Sequence, residues 1–303
     1  MKVLELIKLY CYLCDCYTTQ LQWHCQRFSP NSYPNNLKIT DQELLCIYFY
    51  CRRFENKHKK SEIHDYALRY MGSYFPNLPN YGNFNARINR LEDAILAFVP
   101  IILEKITEEN IVKNIIPKIA LVDAFPIILC SGKRKGKVAS EISDKTFCAT
   151  KGIWYYGVKM HTVANKVTKK LPLINFISIT PASFNDLIAF KPILPQLVGY
   201  EIYADKAYSD LPLNQELIEK QNTCIYTPVK LVKGESDTIR QFNKAADDLY
   251  SVAVSTVRQP IEALFSWIQE KTGLQNASKV RAKSGLMVHI FGAIATSLFY
   301  HIL

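Results

Sequence analysis

The sequence predicts an α/β protein in which a mixed five-stranded sheet flanked by helices follows an all-helical amino-terminal domain. Up to about residue 115 the apolar residues recur at helical spacing, and from about residue 116 they follow the period of strands. A hairpin is then followed by strands and helices in alternation, which is typical of a sheet covered by helices. We therefore place one domain at residues 1–115 and a second at residues 116–303.

The amino-terminal domain is predicted to contain three short helices. Thr40 and Glu43 have the spacing of a capping box, in which each side chain bonds the backbone of the other, and they open a helix over residues 44–54. Ser61 is expected to cap a second helix, and a third is predicted over residues 84–98.

Three short helices with short connections fit a helix-turn-helix, a common DNA-binding motif. Arg87 and Arg90, near the start of the third helix, are then the candidates for DNA contact. Residues 1–110 hold 13 Lys/Arg against 12 Asp/Glu, so their charge is nearly balanced. A helical packing domain without DNA contact therefore stays as the alternative.

The second domain is predicted to hold five strands, at residues 119–122, 153–163, 171–179, 200–204 and 223–227. Helices are predicted over residues 184–197, 213–221 and 247–271. Five strands covered by these helices make up the mixed sheet.

Two aspartates follow short apolar strands of this domain. Asp123 comes after the first strand and Asp205 after the fourth, so parallel neighbouring strands would bring both carboxylates to the sheet edge where α/β proteins bind ligands. Glu262 lies in a helix that can pack back on the sheet and present a third carboxylate. Each position also has a plainer interpretation, because aspartate is a common turn residue and a helical glutamate is usually exposed.

Three convergent carboxylates suit divalent-metal chemistry on phosphate esters. Mg²⁺ prefers oxygen ligands and keeps several waters, so a few carboxylates and phosphate oxygens complete its shell. Two such ions clamp the attacking and leaving oxygens of an in-line displacement. We therefore expect Asp123, Asp205 and Glu262 to bind Mg²⁺, with Mn²⁺ as a substitute.

Positive charge is concentrated shortly after Asp123. The chain has a formal net charge of +10, and residues 133–170 hold ten Lys/Arg against two acids. With Trp154, Tyr155 and Tyr156 among them, these cations are typical of a surface that follows a nucleic-acid backbone and stacks on bases. A solvated charged loop is the alternative.

The expected DNA contacts in this basic stretch fall into two groups. The first is a cluster of cations at Lys133, Arg134, Lys135 and Lys137. The second is Lys159 and His161, which share one face of a strand and are placed to touch the DNA backbone or the acid cluster. A strand face half in solvent is the alternative for this pair.

Five short motifs follow one another between residues 119 and 300. They are VDAFP at 122–126, KG at 151–152 leading to YGVKMH at 156–161, TPASFND at 180–186, ADKAY at 204–208, and Arg258 with Glu262. In this order they resemble the DDE-type transposases of bacterial insertion sequences, and residues 78–91 resemble that family's amino-terminal domain. The resemblance implies an RNase H-like fold and metal-dependent DNA transposition.

On that resemblance Asp123, Asp205 and Glu262 match the family's catalytic triad, with gaps of 82 and 57 residues between them. The short second gap leaves no room for the large β-rich insertion that some relatives carry there. The wider superfamily often shows Tyr-x2-Arg-x3-Glu-x6-Lys around the last acid. Arg258, also a candidate for DNA contact, and Glu262 fit that pattern, whereas Ser255 and Gln269 replace its Tyr and Lys.

Pro260 lies between Arg258 and Glu262, and proline lacks the amide that a helix interior needs. The helix is therefore expected to start or to kink at Pro260. Of the three acids, Glu262 is the one whose position depends most on which of these occurs.

The function implied by the resemblance is cleavage at the terminal inverted repeats of an element and transfer of the freed 3′-hydroxyl ends into target DNA. The expected partner is double-stranded DNA, bound by a homodimer in the bacterial cytoplasm at the nucleoid. One alternative is an RNase H-like nuclease without strand transfer. Another is a domesticated, non-catalytic DNA-binding protein, against which the three intact acids argue.

The nine cysteines are odd in number and scattered, which is not a disulfide framework, so a reducing compartment is expected. Cys11, Cys14 and Cys16, with His24 and Cys25, have plausible zinc-ligand spacing, although buried thiols are the plainer interpretation. Residues 285–303 contain no acid and no Lys/Arg and are long enough to span a membrane. A buried core helix is the favoured interpretation, so no membrane partner is expected.

Overall fold

A computed structural model of the protein describes residues 2–25, 38–109, 111–133, 138–149, 151–230, 237–275, 277 and 280–303. The helices are α1 (Val3–Thr19), α2 (Asp41–Phe54), α3 (Lys60–Tyr70), α4 (Tyr81–Arg90), α5 (Glu92–Glu108), α6 (Asp186–Phe190), α7 (Leu211–Gln221), α8 (Asp237–Arg258), α9 (Pro260–Thr272) and α10 (Lys283–Ile302). The strands are β1 (Ile115–Ser131), β2 (Asp144–Cys148), β3 (Ile153–Val167), β4 (Leu173–Pro181), β5 (Glu201–Tyr203) and β6 (Cys224–Tyr226).

The chain divides into two units. The first comprises Met1–Ile111, Gly136–Glu141 and Ile268–Leu303, and the second comprises Val112–Lys135 and Ile142–Trp267. The end of the first segment lies close to the predicted boundary at residue 115. The carboxyl-terminal segment differs from the prediction, because α10 packs against α5 and α2 and so belongs to the helical unit.

The first unit is a helical bundle around α10. Almost every side chain of α10 from Gly285 to Phe299 is buried, and the Tyr48 hydroxyl donates to the Val288 carbonyl at 3.0 Å. A Cβ on Gly292 would lie 2.8 Å from Cε1 of Tyr48, so only glycine allows this close packing. Among the described residues α10 is the one helix long and apolar enough to cross a membrane. Of its most apolar 18-residue stretch, 78% is buried inside the protein.

The helix boundaries of this unit confirm one predicted cap and correct another. The Glu43 amide donates to Thr40 Oγ1 at 3.2 Å and the Thr40 amide to Glu43 Oε2 at 2.6 Å, which is the predicted capping box of α2. Ser61 does not cap α3, because that helix already begins at Lys60. The predicted third helix is two helices, α4 and α5, separated at Leu91.

The second unit is built on a mixed six-stranded sheet. One edge of β3 pairs antiparallel with β1, and its other edge pairs antiparallel with β2 and then β4. Strand β1 also pairs in parallel with β5, which pairs in parallel with β6. A mixed sheet flanked by helices, with an all-helical amino-terminal region, confirms the predicted fold class and fits an RNase H-like DDE domain.

The sheet differs from the prediction in two respects. Strand β2 was not expected, because it opens with two charged residues and a threonine within a basic stretch that indicated a loop. Strand β1 was expected to end at Asp123 but runs on to Ser131, since its distal half pairs with β3 alone.

The first unit contains a buried arginine. Arg52 is 1% exposed, and its guanidinium donates to the carbonyls of His58 at 3.0 Å and Thr272 at 3.1 Å and to Thr296 Oγ1 at 3.3 Å. A buried charge needs such partners, because leaving water costs several kcal/mol. Arg52 therefore connects α2 to the loop before α3, to the end of α9 and to α10.

Replacing Arg52 is expected to destabilise the first unit strongly. In Arg52→Met the carbonyls of His58 and Thr272 lose this donor, at a cost of about 1–3 kcal/mol for each buried group, so the free energy of unfolding should fall by about 2–5 kcal/mol. Urea denaturation followed by circular dichroism measures the change. The matched control is Arg69→Met on the exposed side of α3, which should change stability by less than about 0.5 kcal/mol; an equal effect of both variants would contradict the role of Arg52.

Candidate active site

Asp123 and Asp205 lie at the same level of the sheet. The parallel register pairs Leu121 with Tyr203, and each aspartate comes two residues after its member of that pair. The condition on which the two aspartates were expected to converge, that their strands are parallel neighbours, is therefore met. Asp205 is exposed and its carboxylate accepts the Lys206 amide at 2.7 Å, at the start of a single 3₁₀ turn. Asp123 does not end its strand as predicted, but lies where the parallel pairing stops.

Glu262 is brought to Asp123 by the break between α8 and α9. Pro260 begins α9 instead of kinking it, which places Glu262 in the first turn of that helix. The ring of Phe265, one turn further, packs on Phe125 with 5.1 Å between centroids. Because residues i and i+2 of a strand share a face, α9 covers the face of β1 that carries Asp123.

Arg258 joins two of the three acids. Its Nη1 donates to Asp123 Oδ2 at 2.7 Å and its Nη2 to Glu262 Oε1 at 2.5 Å, although Arg258 and Asp123 are 135 residues apart. The Arg258 and Asp123 side chains are 15% and 20% exposed, whereas Glu262 is 57% exposed. Arg258 Nε is buried and has no hydrogen-bond partner among the described residues.

The electrostatics of Asp123 show that the three acids act on one another. Burial raises the pKa of Asp123 to about 6, because it disfavours the ionised carboxylate. Arg258 and the Ala124 amide lower that pKa, while the charges of Asp205 and Glu262 raise it. Burial lowers the pKa of Arg258, but the negative charges of Asp123, Glu262 and Asp205 outweigh burial and raise it.

Tyr208 is a further group beside this cluster, and its only sequence signal is its place in the ADKAY motif. Its hydroxyl is buried and has no hydrogen-bond partner among the described residues. Burial raises its pKa, and the charges of Asp186, Asp123 and Asp205 raise it further. The hydroxyl therefore stays protonated and can serve as a donor near the acids.

The donor set suits a hard divalent cation, because Asp123, Asp205 and Glu262 offer only carboxylate oxygens. Burial chiefly, with a further contribution from the charges of Asp205 and Glu262, raises the pKa of Asp123, and a bound cation would favour its ionised form. In the described residues no three His, Cys, Asp or Glu side chains lie close enough together to form a metal site. Arg258 supplies the positive charge between two of the acids in this arrangement. Cys11, Cys14, Cys16, His24 and Cys25 are among the described residues and form no zinc site in that part of the chain.

Lys159 and His161 were predicted to face DNA or the acids, but they lie on the opposite face of β3. Thr162 pairs with Asp123 and shares its face, so the odd-numbered neighbours point the other way. Lys159 Nζ binds Asp186 Oδ1 at 2.8 Å, and His161 Nε2 lies 2.8 Å from Thr180 Oγ1. His161 is 5% exposed, and burial lowers its pKa to about 4, so it is neutral at pH 7.

The basic stretch carries exposed aromatic rings beside its cations. Trp154 is 57% exposed and packs against Phe147 of β2 with 5.5 Å between ring centroids. Lys145 Nζ lies 5.7 Å from the Trp154 ring centroid and 5.9 Å from that of Tyr156. Lys133 is exposed close by, since it lines the same surface depression as Lys145 and Trp154. Alternation along β3 places Trp154 and Tyr156 on the face of Asp123.

Other predicted contacts have different outcomes. Arg134, Lys135 and Lys137 lie outside the described residues. Tyr155, predicted to stack on bases, is 1% exposed and points into the core. Arg87 donates to Asp41 Oδ1 at 2.6 Å and to the Ile39 carbonyl at 2.7 Å, which ties α4 to the start of α2, and Arg90 is exposed.

The raised pKa of Asp123 predicts that neutralising this residue stabilises the protein. The folded state holds the Asp123 proton more tightly than the unfolded chain, so ionised Asp123 costs stability above about pH 6. Asp123→Asn removes that cost, and Arg258 retains its ion pair with Glu262. The free energy of unfolding at pH 7.5 should therefore rise by about 1–3 kcal/mol. Denaturation across pH measures the difference.

The pH dependence separates this effect from a general one. Below about pH 3, under the ordinary aspartate value of 3.8, wild-type Asp123 is mostly protonated in both states, so the advantage of Asp123→Asn should vanish there. The control Asp65→Asn, at an exposed position of α3, should give no such pH-dependent gain. A variant less stable than wild type at pH 7.5 would show that the bond to Arg258 outweighs the burial of the charge.

Comparison with known proteins bears on this constellation. Residues 113–248 match the family described as "Transposase DDE domain", a stretch that includes Asp123 and Asp205 and ends before Arg258 and Glu262. No curated protein and no solved structure matches the chain. The family match and the mixed sheet agree with each other. We conclude that residues 113–248 form a transposase DDE domain, the domain that defines the DDE-type transposases.

Proposed function

We propose that the protein cuts DNA at the terminal inverted repeats of an insertion sequence and joins the freed 3′-hydroxyl ends to target DNA. The observation that carries this proposal is the bridge from Arg258 to Asp123 and Glu262, beside the parallel pairing that brings Asp205 to the level of Asp123. Two acids are thereby joined through Arg258 near the end of a parallel strand pair whose other strand leads to the third acid. Such an arrangement suits phosphoryl transfer.

We assign Asp123, Asp205 and Glu262 as the ligands of Mg²⁺, for which Mn²⁺ would substitute. When bound, the metal would supply positive charge for the phosphate oxygens of the scissile bond. Arg258 keeps Asp123 and Glu262 in place by bonding one oxygen of each. It also offsets part of their repulsion, so that Asp123 is ionised above about pH 6. Its remaining N–H groups are suited to a DNA phosphate.

Both proposed reactions are displacements at phosphorus. In cleavage the oxygen of water bonds to phosphorus, and the 3′ oxygen of the element end leaves with a proton. In strand transfer that 3′-hydroxyl attacks a target phosphodiester and a target 3′ oxygen leaves. One phosphodiester is exchanged for another in this second step, which is why it requires no nucleotide cofactor.

The basic and aromatic surface of β2 and β3 extends the proposed DNA path. Trp154 lies on the same sheet face as Asp123, and β1 runs eight residues from Asp123 to Ser131, which pairs with Tyr155. At about 3.3 Å per residue this is roughly 26 Å, a length comparable with eight base pairs of DNA. Lys133 and Lys145 would contact phosphates there, and Trp154 would stack on an unpaired base. Lys159 and His161 are left out because Asp186 and Thr180 engage them on the other face.

The remaining parts of the proposal concern assembly and location. Joining two element ends in one reaction requires two active sites, so we propose a homodimer on DNA. Its working place would be the bacterial cytoplasm at the nucleoid. The helical amino-terminal unit would recognise the terminal repeat, with Arg90 as a candidate contact and Arg87 as the residue that holds α4 on α2.

The first test of this function removes one metal ligand at a time. Asp123→Asn and Asp205→Asn should reduce cleavage of terminal-repeat DNA with Mg²⁺ by at least about 10²–10³-fold, because each amide loses the charge that holds the metal. Binding to the same DNA should change by less than about twofold. Cleavage is measured on sequencing gels and binding by titration.

The matched control is Glu201→Gln, an exposed acid on the strand that leads to Asp205, and it should cleave at the wild-type rate. Either aspartate variant cleaving normally would refute the metal assignment. A wild-type protein that cleaves but never joins a pre-cut 3′ end to plasmid DNA would be a nuclease. A wild-type protein that binds without cleaving would be the non-catalytic alternative.

The second test separates charge from stacking on the DNA path. Counterion release predicts that a Lys133→Ser, Lys145→Ser double variant lowers the salt slope of duplex binding by about 1.8, which is 0.9 for each lost phosphate contact. Trp154→Ala should leave that slope unchanged and weaken binding to DNA with an unpaired end by about 1–3 kcal/mol. Lys220→Ser on α7 is the control and should change neither quantity. Unchanged slopes in the double variant would place the DNA elsewhere.

A further inference from the structure

The first unit contains a basic cavity that the proposed chemistry does not use. It has a volume of about 340 Å³ and lies among α3, α4 and the start of α10, all within this unit. Its cationic side chains are Lys59, Lys60 and Arg281, and no acidic residue lines it among the described residues. Lys59 pairs with Glu62 at 2.8 Å, whereas the described residues offer Lys60 and Arg281 no ion pair.

The polar lining is made of donors as well as charges. Lys60 Nζ donates to Asn89 Oδ1, so the ammonium is held against the cavity wall with further N–H groups to spare. His58 also lines the cavity, and its Nδ1 is buried without a hydrogen-bond partner among the described residues. Burial lowers the pKa of Lys60 to about 8, with a further contribution from the charge of Arg52. The described residues therefore provide no counter-ion for the ammonium of Lys60.

Two helices add backbone donors to the same cavity. Lys59, Lys60 and Ser61 at the start of α3 line it, and so do Arg281 and Ala282 at the start of α10. At the start of α10 no side chain accepts the first amides, and at the start of α3 Glu62 accepts the Lys59 amide at 3.4 Å, which leaves the following amides of α3 without a side-chain acceptor among the described residues. The first turns of helices carry free N–H groups and partial positive charge, which favour anions. Cationic side chains and helix starts therefore favour the same kind of ligand.

We propose that this cavity binds a phosphate-type oxyanion, held by Lys60 and Arg281 and by the first amides of α3 and α10. A tetrahedral anion would satisfy the uncompensated ammonium of Lys60 and the free amides of both helix starts together. The anion would be either a phosphate of the DNA backbone or a free phosphate. The proposal rests on the helical unit alone and is independent of the acids assigned to catalysis.

The test uses the full chain and sulfate as the probe, because sulfate keeps one charge state across neutral and alkaline pH. Isothermal titration should show sulfate binding that weakens at least about tenfold in Arg281→Gln and in Lys60→Gln, since each removes a charge-assisted contact. Arg281 is exposed, so its variant should keep the wild-type fold. Arg69→Gln on α3, away from the cavity, is the matched control and should bind as wild type.

The pH dependence gives a second measurement. Sulfate affinity of the wild type should fall as pH rises through about 8, where Lys60 loses its proton, and this fall should be absent in Lys60→Gln. The neighbouring groups do not titrate there: the pKa of His58 is lowered to about 4 and that of His289 to about 3, mainly by burial, and burial raises the pKa of Tyr48. The other charged side chains near Lys60 include those of Arg52 and Arg281.

A duplex DNA arm identifies the source of the anion. If both variants weaken sulfate and duplex binding alike and sulfate competes with the duplex, the cavity holds a backbone phosphate. If they weaken sulfate binding alone, it holds a free phosphate. Sulfate binding that is absent in the wild type, or equal in wild type and both variants, overturns the proposal. Because none of these measurements requires cleavage, their failure would leave the proposed transposase activity untouched.

Discussion

The second unit depends on one arginine that holds two acids. Arg258 ends α8, and its planar guanidinium reaches Asp123 on β1 and Glu262 on α9 at hydrogen-bonding distance. Arginine suits this position because its N–H groups form a rigid fork and its charge does not titrate. Lysine offers a single point of charge and could not bond both carboxylates with the same geometry. The turn from α8 to α9, with Pro260 as the first residue of α9, is thereby fixed against the strand.

The alternation of side chains along β3 gives the sheet of the second unit two different faces. Every second residue of β3 from Thr162 back to Trp154 lies on the face that carries Asp123. Helix α9 covers part of this face, and exposed aromatic rings lie at its far end. The opposite side packs on α6 and α7 through a core that includes Val163. A shift of one residue in the pairing of β1 and β3 would exchange these faces. The long antiparallel pairing therefore determines which side chains accompany the acids.

Local rules predicted the parts of the fold that depend on neighbouring residues. The capping box of Thr40 and Glu43 and the short apolar strands before Asp123 and Asp205 could be read from short stretches of sequence. The bridge of Arg258 to Asp123 could not, because it joins residues 135 positions apart. The resemblance to transposases singled out Arg258 as a candidate residue but did not indicate which side chain it contacts.

Two wrong predictions, for His161 and for β2, have a common cause. His161 was expected to touch the acids or DNA because it shares a strand face with Lys159, yet which side of the sheet that face lies on is set by the pairing partners of the strand. Strand β2 was missed because its charged residues suggested a loop, although Phe147 and Cys148 pair with β3. In both cases tertiary pairing overrode a pattern that was ambiguous over a few residues.

The return of α10 to the helical unit has a consequence for how the chain acquires its structure during synthesis. Domains usually fold in the order in which they leave the ribosome. Here the residues that form the sheet have all been made before α10 exists, while α2 and α5 still lack the helix that buries their apolar sides. The amino-terminal helices must therefore wait, with exposed apolar surface, for the last helix to arrive. The part of the protein that is synthesised first is the part that is completed last.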